Sequence, residues 1–349
     1  MKEVLVTPDL DVKAHSVPIP TPKEGQLLIK VIISGTNPKD WKTPKFMNYT
    51  HNPGDDIAGI VEAVGEGVTG FNKGDRVGAF HEMVTEHGSF AEYAIAWART
   101  TFHLPDSTSF EEAATIPLAA TTAALGVYRR LGLPMPWQQL QKRTPMVVYG
   151  GASAIGAFAI KFAVLSNVHP IIAIAGKGIP FVETLIDKKK GDRVIDYRKG
   201  DDFVAQELES IQAGEDGSIY AFDGVSKPST IRNLTKLKAG QVSIAPVFNS
   251  EHKPEVMDQV PSNVHVHFTQ VGHVHKVYYQ PDEKDVPFDK QFGSVLYPFI
   301  GLGLKEGWFS GHPFEVVQGE PEKAIKTALS KLENNKVSAQ KLLIKFAEA

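Results

Sequence analysis

At 349 residues the chain exceeds what one small core organises, so two domains are expected. A charged fraction of 22% with a net charge of −3 describes an ordinary globular protein and speaks against a nucleic-acid binder, which needs a concentrated basic face. The absence of cysteine removes disulfides, thiol nucleophiles and thiolate-bound zinc, while no apolar run reaches membrane-span length and the start lacks a signal-peptide core, so a cytoplasmic protein without membrane association is expected.

Residues 1 to about 105 alternate short apolar runs with Gly and Pro: Gln26–Ile33, Ile57–Val64, Arg76–Phe80 and Phe90–Ala96. No helical period dominates, and the texture predicts a mostly β domain of barrel type. Ser109–Leu131, alanine-rich with an internal Pro117, reads as bridging helices. From Thr144 the pattern changes. Strands are predicted at Pro145–Tyr149, Pro170–Ala175, Arg193–Tyr197, Ser218–Val225, Gln241–Val247 and Val264–Val271, with helices at Ala154–Leu165, Phe181–Lys188, Phe203–Ala213 and Ser229–Leu237. Strands separated by helices indicate a doubly wound parallel sheet. The polar run Gln280–Lys290 reads as an exposed loop, and the chain closes with a strand (Phe314–Val317), a helix (Glu320–Asn334) and a strand (Leu342–Phe346). Lacking a sheet of their own, these last elements are expected to return to the first domain.

The segment YGGASAIG, Tyr149 to Gly156, joins the first strand of the parallel sheet to its first helix. Such a turn points backbone N–H groups and the positive end of a helix dipole at one spot, a geometry that binds a pyrophosphate without cationic side chains. Gly151 and Gly156 hold the outer positions of the Gly-x-Gly-x-x-Gly fingerprint, and Ser153 replaces the middle glycine.

Residues 53–78, PGDDIAGIVEAVGEGVTGFNKGDRVG, resemble the barrel segment of the medium-chain dehydrogenase/reductase superfamily. Further matches follow in order: SGTNPKDWK (34–42), GSFAEYAIA (88–96), LPDSTSFEEAATIPLAATTAALGVY (104–128), YGGASAIG (149–156), VIDYR (194–198) and NNKVSAQKLLIKF (334–346). Within it the chain resembles the zinc-free branch of quinone oxidoreductases and enoyl reductases, including fungal stand-alone enoyl reductases that partner polyketide synthases. Thr36-Asn37 stands where zinc enzymes carry a cysteine, and Asp55 where they carry a histidine. The resemblance implies an α/β protein with an N-terminal GroES-like, β-barrel-type catalytic domain and a Rossmann doubly wound parallel sheet. The corresponding limits are 1–123 for the first part of the catalytic domain, 124–285 for the Rossmann domain and 286–349 for the return segment.

The cofactor implied is NADP(H). After the second parallel strand the chain reads Ile174-Ala175-Gly176-Lys177-Gly178, with no acid before Glu183. A carboxylate expected there to bind ribose hydroxyls is missing, and a cation able to neutralise a 2′-phosphate is present. The resemblance places Lys177 and Tyr197 toward that phosphate, Gly151, Ser153, Ala154 and Ile155 at the pyrophosphate, and Asn37, Val337 and Ser338 on the nicotinamide side. It also brings Lys42 and Thr122 to substrate or cofactor, and Tyr49 is a candidate proton donor. Each has a structural alternative: Asn37 before Pro38 suits a turn, Thr122 a helix cap, Lys42 and Lys177 a solvated surface, Tyr197 a core edge.

Without zinc, a conjugated acceptor is the better match, since negative charge spreads onto an oxygen that hydrogen-bond donors can stabilise. The expected substrate is a small enone, enoyl compound or quinone. The alternatives are a trans-acting enoyl reductase served by a polyketide synthase carrier domain, and a non-catalytic NADPH-binding protein. Monomer and homodimer both remain open, the latter through edge pairing of Val264–Phe268. His265, His267, His273 and His275 have spacings that suit a metal, but no further ligand stands at motif spacing, so no metal is expected. Val271 to Tyr279 is instead expected to shape the acceptor pocket.

Overall fold

The computed structural model describes residues 1–247, 260–276 and 286–348. They divide into two units, Met1–Leu118 with Gly272–Ala349, and Ala119–Val271. None of the described helices is long and apolar enough to cross a membrane.

The first unit begins with the hairpin β1 (Lys2–Val6) and β2 (Val12–Ser16). Its main sheet is built on β3 (Gln26–Gly35), paired antiparallel to β4 (Asp56–Val64) and to β6 (Tyr93–Trp97). Strands β5 (Arg76–Phe80) and β7 (Thr101–His103) extend it. Side chains on alternate residues of a strand share a face, and Leu27, Ile29 and Val31 of β3 meet Ile57, Val61, Val77 and Ala94 in one core. Two bulges break the β3–β4 register. Between β3 and β4 lies α1 (Lys39–Met47), and after β7 come α2 (Phe110–Ala114) and α3 (Pro117–Ala124), which crosses into the second unit.

The second unit is a parallel sheet in the order β10-β9-β8-β11-β12-β13. Its strands are β8 (Met146–Tyr149), β9 (Ile171–Ala175), β10 (Arg193–Asp196), β11 (Ser218–Asp223), β12 (Gln241–Pro246) and β13 (Val264–Val266). The connecting helices are α4 (Ala154–Leu165), α5 (Ile179–Val182), α6 (Asp201–Glu209) and α7 (Pro228–Leu234). The strands read as near-continuous Val, Ile and Ala because a doubly wound sheet is covered on both faces. Strand order reverses between β8 and β11, where ligands of such sheets bind.

The chain then returns to the first unit through α8 (Val286–Glu306), β14 (Phe314–Val316), α9 (Pro321–Glu333) and β15 (Lys341–Lys345). Strand β15 pairs antiparallel to β3 and parallel to β14. Ala324, Ile325, Ala328 and Leu329 form one face of α9 and pack with Leu342, Ile344, Val4 and Phe90. Each fully buried Ile or Leu contributes about 1.5–3 kcal/mol there. Lys341 opens β15 with its Nζ 2.5 Å from Asp56 Oδ2, at side-chain exposures of 3% and 0%. Asp56 Oδ1 also accepts the Leu118 N–H at 2.7 Å.

Three expectations need correction. The expected loop Gln280–Lys290 lies outside the described residues up to 285, but from Val286 it is helix, and Asp289 is buried 3.7 Å from His273. The expected strand Val264–Val271 is cut to β13 plus a bridge between Thr269 and Val247, with a 3-10 turn over Val271–Val274. Helix Phe181–Lys188 shrinks to α5, because Asp187 accepts from the Lys189 N–H and turns the chain.

The four histidines do not form one group. His265 and His267 are exposed on and after β13, whereas His273 and His275 are buried in the first unit. Within the expected pocket stretch, Gly272 to His275 are buried, Val271 is half-buried and Lys276 is exposed. His275 lies with Nε2 3.0 Å from Thr100 Oγ1 and its ring 4.9 Å from that of Phe80. Burial pushes its pKa down to about 3, with Glu82 opposing.

Two outcomes follow from these contacts. Lys341→Met leaves the buried Asp56 carboxylate uncompensated and should cost about 3–5 kcal/mol in urea unfolding, part of it recovered when Asp56→Asn is added. A loss below about 1 kcal/mol would show that the pair does not hold the return strand. His275, neutral when folded, contributes stability that is complete above its ordinary value near 6.5 and is lost as pH falls toward 3. His275→Phe should therefore flatten the fall in unfolding free energy between about pH 7 and about pH 4; parallel curves would contradict this.

Candidate active and cofactor site

The glycine turn is built as a backbone cradle. Gly150 and Gly151 N–H groups both donate to the Ile174 carbonyl at 3.0 Å, which fastens the turn to β9. Ser153 is the N-cap of α4: its Oγ accepts from Gly156 N–H at 3.1 Å and donates to the Gly150 carbonyl at 2.7 Å. Its own N–H donates to Gly150 O at 2.9 Å, so what Ser153 supplies is the cap. The N–H groups of Ala154 and Ile155, first in the helix, have no acceptor within it. A Cβ at Gly156 would run into the Gly150 carbonyl, so helix and turn approach as closely as backbone allows. Ala154, Ile155 and the dipole of a twelve-residue helix thus fit a dinucleotide pyrophosphate.

The far side of this turn is ordered by Asp223, a residue the motif search passed over. It ends β11 in register with Tyr149, is fully buried, and accepts N–H bonds from Val225 at 3.0 Å and Ser226 at 2.8 Å, and the Thr230 hydroxyl at 2.5 Å. Burial raises its pKa, and those hydrogen bonds oppose the shift. The only sequence signal was an Asp-Gly pair closing a strand.

At the end of β9 the ring of Tyr197 lies where a Gly176 side chain would be, and Tyr197 is 50% exposed. Lys177 is exposed and makes no hydrogen bond or ion pair with the described residues. Arg198 is different. It is held by Asp196 at 2.6 Å, and that hydrogen-bonded pairing takes the Asp196 pKa down to about 2. Lys177 is therefore the uncompensated cation beside Gly176. Thr122, also in this unit, is buried in α3.

In the first unit, Asn37 is 5% exposed and held on every side. Its Nδ2 donates to Asp56 Oδ2 at 2.7 Å, its Oδ1 accepts from Lys341 Nζ at 3.1 Å, and its backbone N–H donates to Asp40 Oδ2 at 2.7 Å. The loop carrying Val337 and Ser338 leads directly into Lys341; Val337 packs on the core and Ser338 is exposed. Lys42 is half-buried on α1 with its Nζ 5.6 Å from the Trp41 ring. Tyr49 is 57% exposed and stacks on His51 at 5.5 Å.

Beside Asn37 lies a second charged group that the sequence reading missed. Lys39 Nζ is 2.5 Å from Asp55 Oδ2 and 2.9 Å from Asp40 Oδ1, and also contacts the Pro53 carbonyl. His81 Nδ1 is 2.9 Å from Asp55 Oδ1, and its Nε2 is 3.0 Å from the Glu86 carbonyl. Burial works against the Lys39 charge, but Asp40 and Asp55 outweigh it and hold its pKa above the ordinary value. Burial raises Asp40 to about 7, opposed by Lys39 and reinforced by Asp55, whereas Lys39 and His81 overcome burial at Asp55 and keep it low. Asp55 thus engages both Lys39 and His81, and Thr36 Oγ1 donates to the Leu342 carbonyl at 2.9 Å. Among the described residues no three His, Asp or Glu side chains gather to hold a metal.

The pattern of the alcohol dehydrogenase GroES-like domain matches residues 23–106. A trans-enoyl reductase, fsr4 of Gibberella fujikuroi, is 40% identical over 327 residues, spanning 92% of this chain and 91% of its own. Another, ACTTS2 of Alternaria alternata, is 28% identical across 96% of both chains. The solved structure of a putative zinc-dependent alcohol dehydrogenase from Rhizobium etli superposes with a TM-score of 0.79 at 22% identity, covering 100% of this chain and 99% of that one. Identity across nine-tenths of the chain, on this pairing of a GroES-like unit with a parallel dinucleotide-type sheet, makes the protein an oxidoreductase of the zinc-independent, quinone and enoyl reductase-like branch of the medium-chain dehydrogenase/reductase superfamily.

Proposed function

We propose that the protein is an NADPH-dependent reductase of conjugated acceptors, with an enoyl thioester or enone as first choice and a quinone as second. The observation that carries the reading is the backbone cradle at Gly150–Gly156, with Lys177 as the uncompensated cation at the end of β9. Reduced nicotinamide, when bound, supplies a hydride.

The protein's part is to hold and polarise. The N–H groups of Ala154 and Ile155 take the pyrophosphate beside Gly151, with Ser153 fixing the helix start. Lys177 and Tyr197 take the 2′-phosphate, a charge-assisted contact that an unphosphorylated ribose cannot make. Asn37, immobilised by Asp56, Lys341 and Asp40, together with Val337 and Ser338, frames the nicotinamide side. Reduction at the remote carbon of a conjugated system moves negative charge onto oxygen. Lys42 and Thr122 are the donors assigned to that oxygen, and Tyr49 the proton source for the adjacent carbon. The domain limits 1–123, 124–285 and 286–349 belong to the same reading, with the catalytic machinery split between the first and last segments.

The relatives named trans-enoyl reductases favour a carrier-bound acyl chain as the acceptor, delivered by a polyketide synthase. A cytoplasmic setting fits that role, and monomer and homodimer both accommodate it.

Purified protein should oxidise NADPH with pantetheine-linked 2-enoyl thioesters, and NADH at least tenfold less efficiently. Lys177→Ala should raise KM for NADPH about 10- to 100-fold, the loss of a charge-assisted bond worth about 1.5–3 kcal/mol, and leave KM for NADH unchanged. Equal use of both nucleotides, or an equal effect of the substitution on both, would refute the phosphate assignment. Cofactor binding without turnover of any enone, enoyl thioester or quinone would refute the reductase itself.

A further inference from the structure

The ends of β8, β9 and β10 that lie opposite the glycine turn carry a second group of charges. Parallel strands start at one edge of the sheet and finish at the other, so the segments that precede these three strands come together. Arg143 precedes β8, His169 precedes β9 and Lys190 precedes β10. With Lys142 and Asn167 they line a concavity of about 300 Å³.

The charges there are unevenly matched. Lys142 is paired with Asp216 at 2.9 Å, and the carboxylate of Glu215 accepts the Arg143 backbone N–H at 3.1 Å. The Arg143 guanidinium, however, donates only to the carbonyls of Gln212 at 3.0 Å and Ala213 at 2.6 Å. Lys190 Nζ donates to the Asn167 side-chain oxygen at 2.8 Å. The hydrogen-bond partners of both side-chain cations are therefore uncharged, backbone carbonyls for Arg143 and an amide oxygen for Lys190.

His169 supplies the second observation. It is 8% exposed, and its Nδ1 donates to Asp192 at 2.8 Å. Asp192 is itself fixed by the Ile171 N–H at 2.7 Å and the Asp187 N–H at 2.9 Å, so the ring cannot turn freely. Its Nε2 is buried and has no hydrogen-bond partner among the described residues. A buried polar atom left unmatched is costly and calls for an explanation such as a ligand atom. An Asp–His pair whose Nε2 can accept from a phosphoryl hydroxyl, or donate to a phosphoryl oxygen when it carries a proton, in a concavity that Arg143 and Lys190 also line, is suited to an oxygen-rich anion.

We propose that this concavity binds a phosphoryl group, with Arg143 and Lys190 supplying charge and His169 Nε2 the buried hydrogen bond. The site is confined to the second unit, at the opposite strand ends from the glycine turn, and does not depend on the cofactor reading. Its ligand is either free phosphate or the phosphoryl end of a larger molecule.

Histidine-labelled full-length protein, titrated at constant ionic strength with inorganic phosphate and separately with glycerol 3-phosphate, tests this by NMR of the ring nitrogens. The His169 signals, assigned with His169→Gln, should move saturably. Lys190→Ala should weaken binding at least fivefold, and the exposed Lys236→Ala should leave it unchanged. Should His169→Gln fail to fold, calorimetry on Lys190→Ala and the parent protein reads the same difference. Tighter binding of glycerol 3-phosphate would assign the site to a larger phosphorylated molecule, and tighter binding of phosphate to the free ion. Stationary His169 signals, or binding that Lys190→Ala leaves intact, would overturn the proposal. Phosphate held only at the glycine turn gives that overturning pattern and leaves the cofactor reading standing.

Discussion

A buried ion pair between Lys341 and Asp56 closes the first unit on itself. The partners are 285 residues apart, with the whole second unit inserted between them in the chain. A pair of this kind adds little net stability, because desolvating two charges nearly cancels their attraction, but removing one partner is expensive. Its effect is to forbid alternatives: β15 cannot slide along β3 without stranding a carboxylate that no water reaches. Asn37 is bonded to both partners, so its position depends on the last strand of the chain being docked.

The two units handle charge by different means. In the first, titratable side chains are buried against one another, with Lys39 between Asp40 and Asp55 and His81 against Asp55. Both Asp55 oxygens are engaged, one by Lys39 and the other by His81. In the second, the glycine turn is shaped by main chain, with a cap, a close glycine contact and a helix terminus. Rigid main-chain donors suit a diphosphate common to many substrates, and variable side chains suit an acceptor that differs from one relative to the next.

Much of this was legible in the sequence. The change from glycine-punctuated strands to alternating strands and helices located the parallel sheet, and YGGASAIG located the turn from its first strand into its first helix. The last strand and helix were placed in the first unit because they had no other sheet to join. Long-range polar pairings were not legible. Asp55 and Asp56 look like a turn after Gly54, and nothing local tells that one faces Lys39 and the other Lys341. Histidine spacing was equally mute, since His-x-His reads the same on an exposed strand and in a core where Thr100 and Phe80 receive His275. The head of α8 misled through its polar composition, although Asp289 points inward.

The central claim is that the protein delivers hydride from NADPH to the remote carbon of a conjugated acceptor. Its most direct measurement follows deuterium from C4-labelled NADPH into a 2-enoyl thioester and locates it in the product by NMR. The account requires the label at the β-carbon with the thioester intact. Label on the carbonyl carbon, with an aldehyde or alcohol formed, would contradict it.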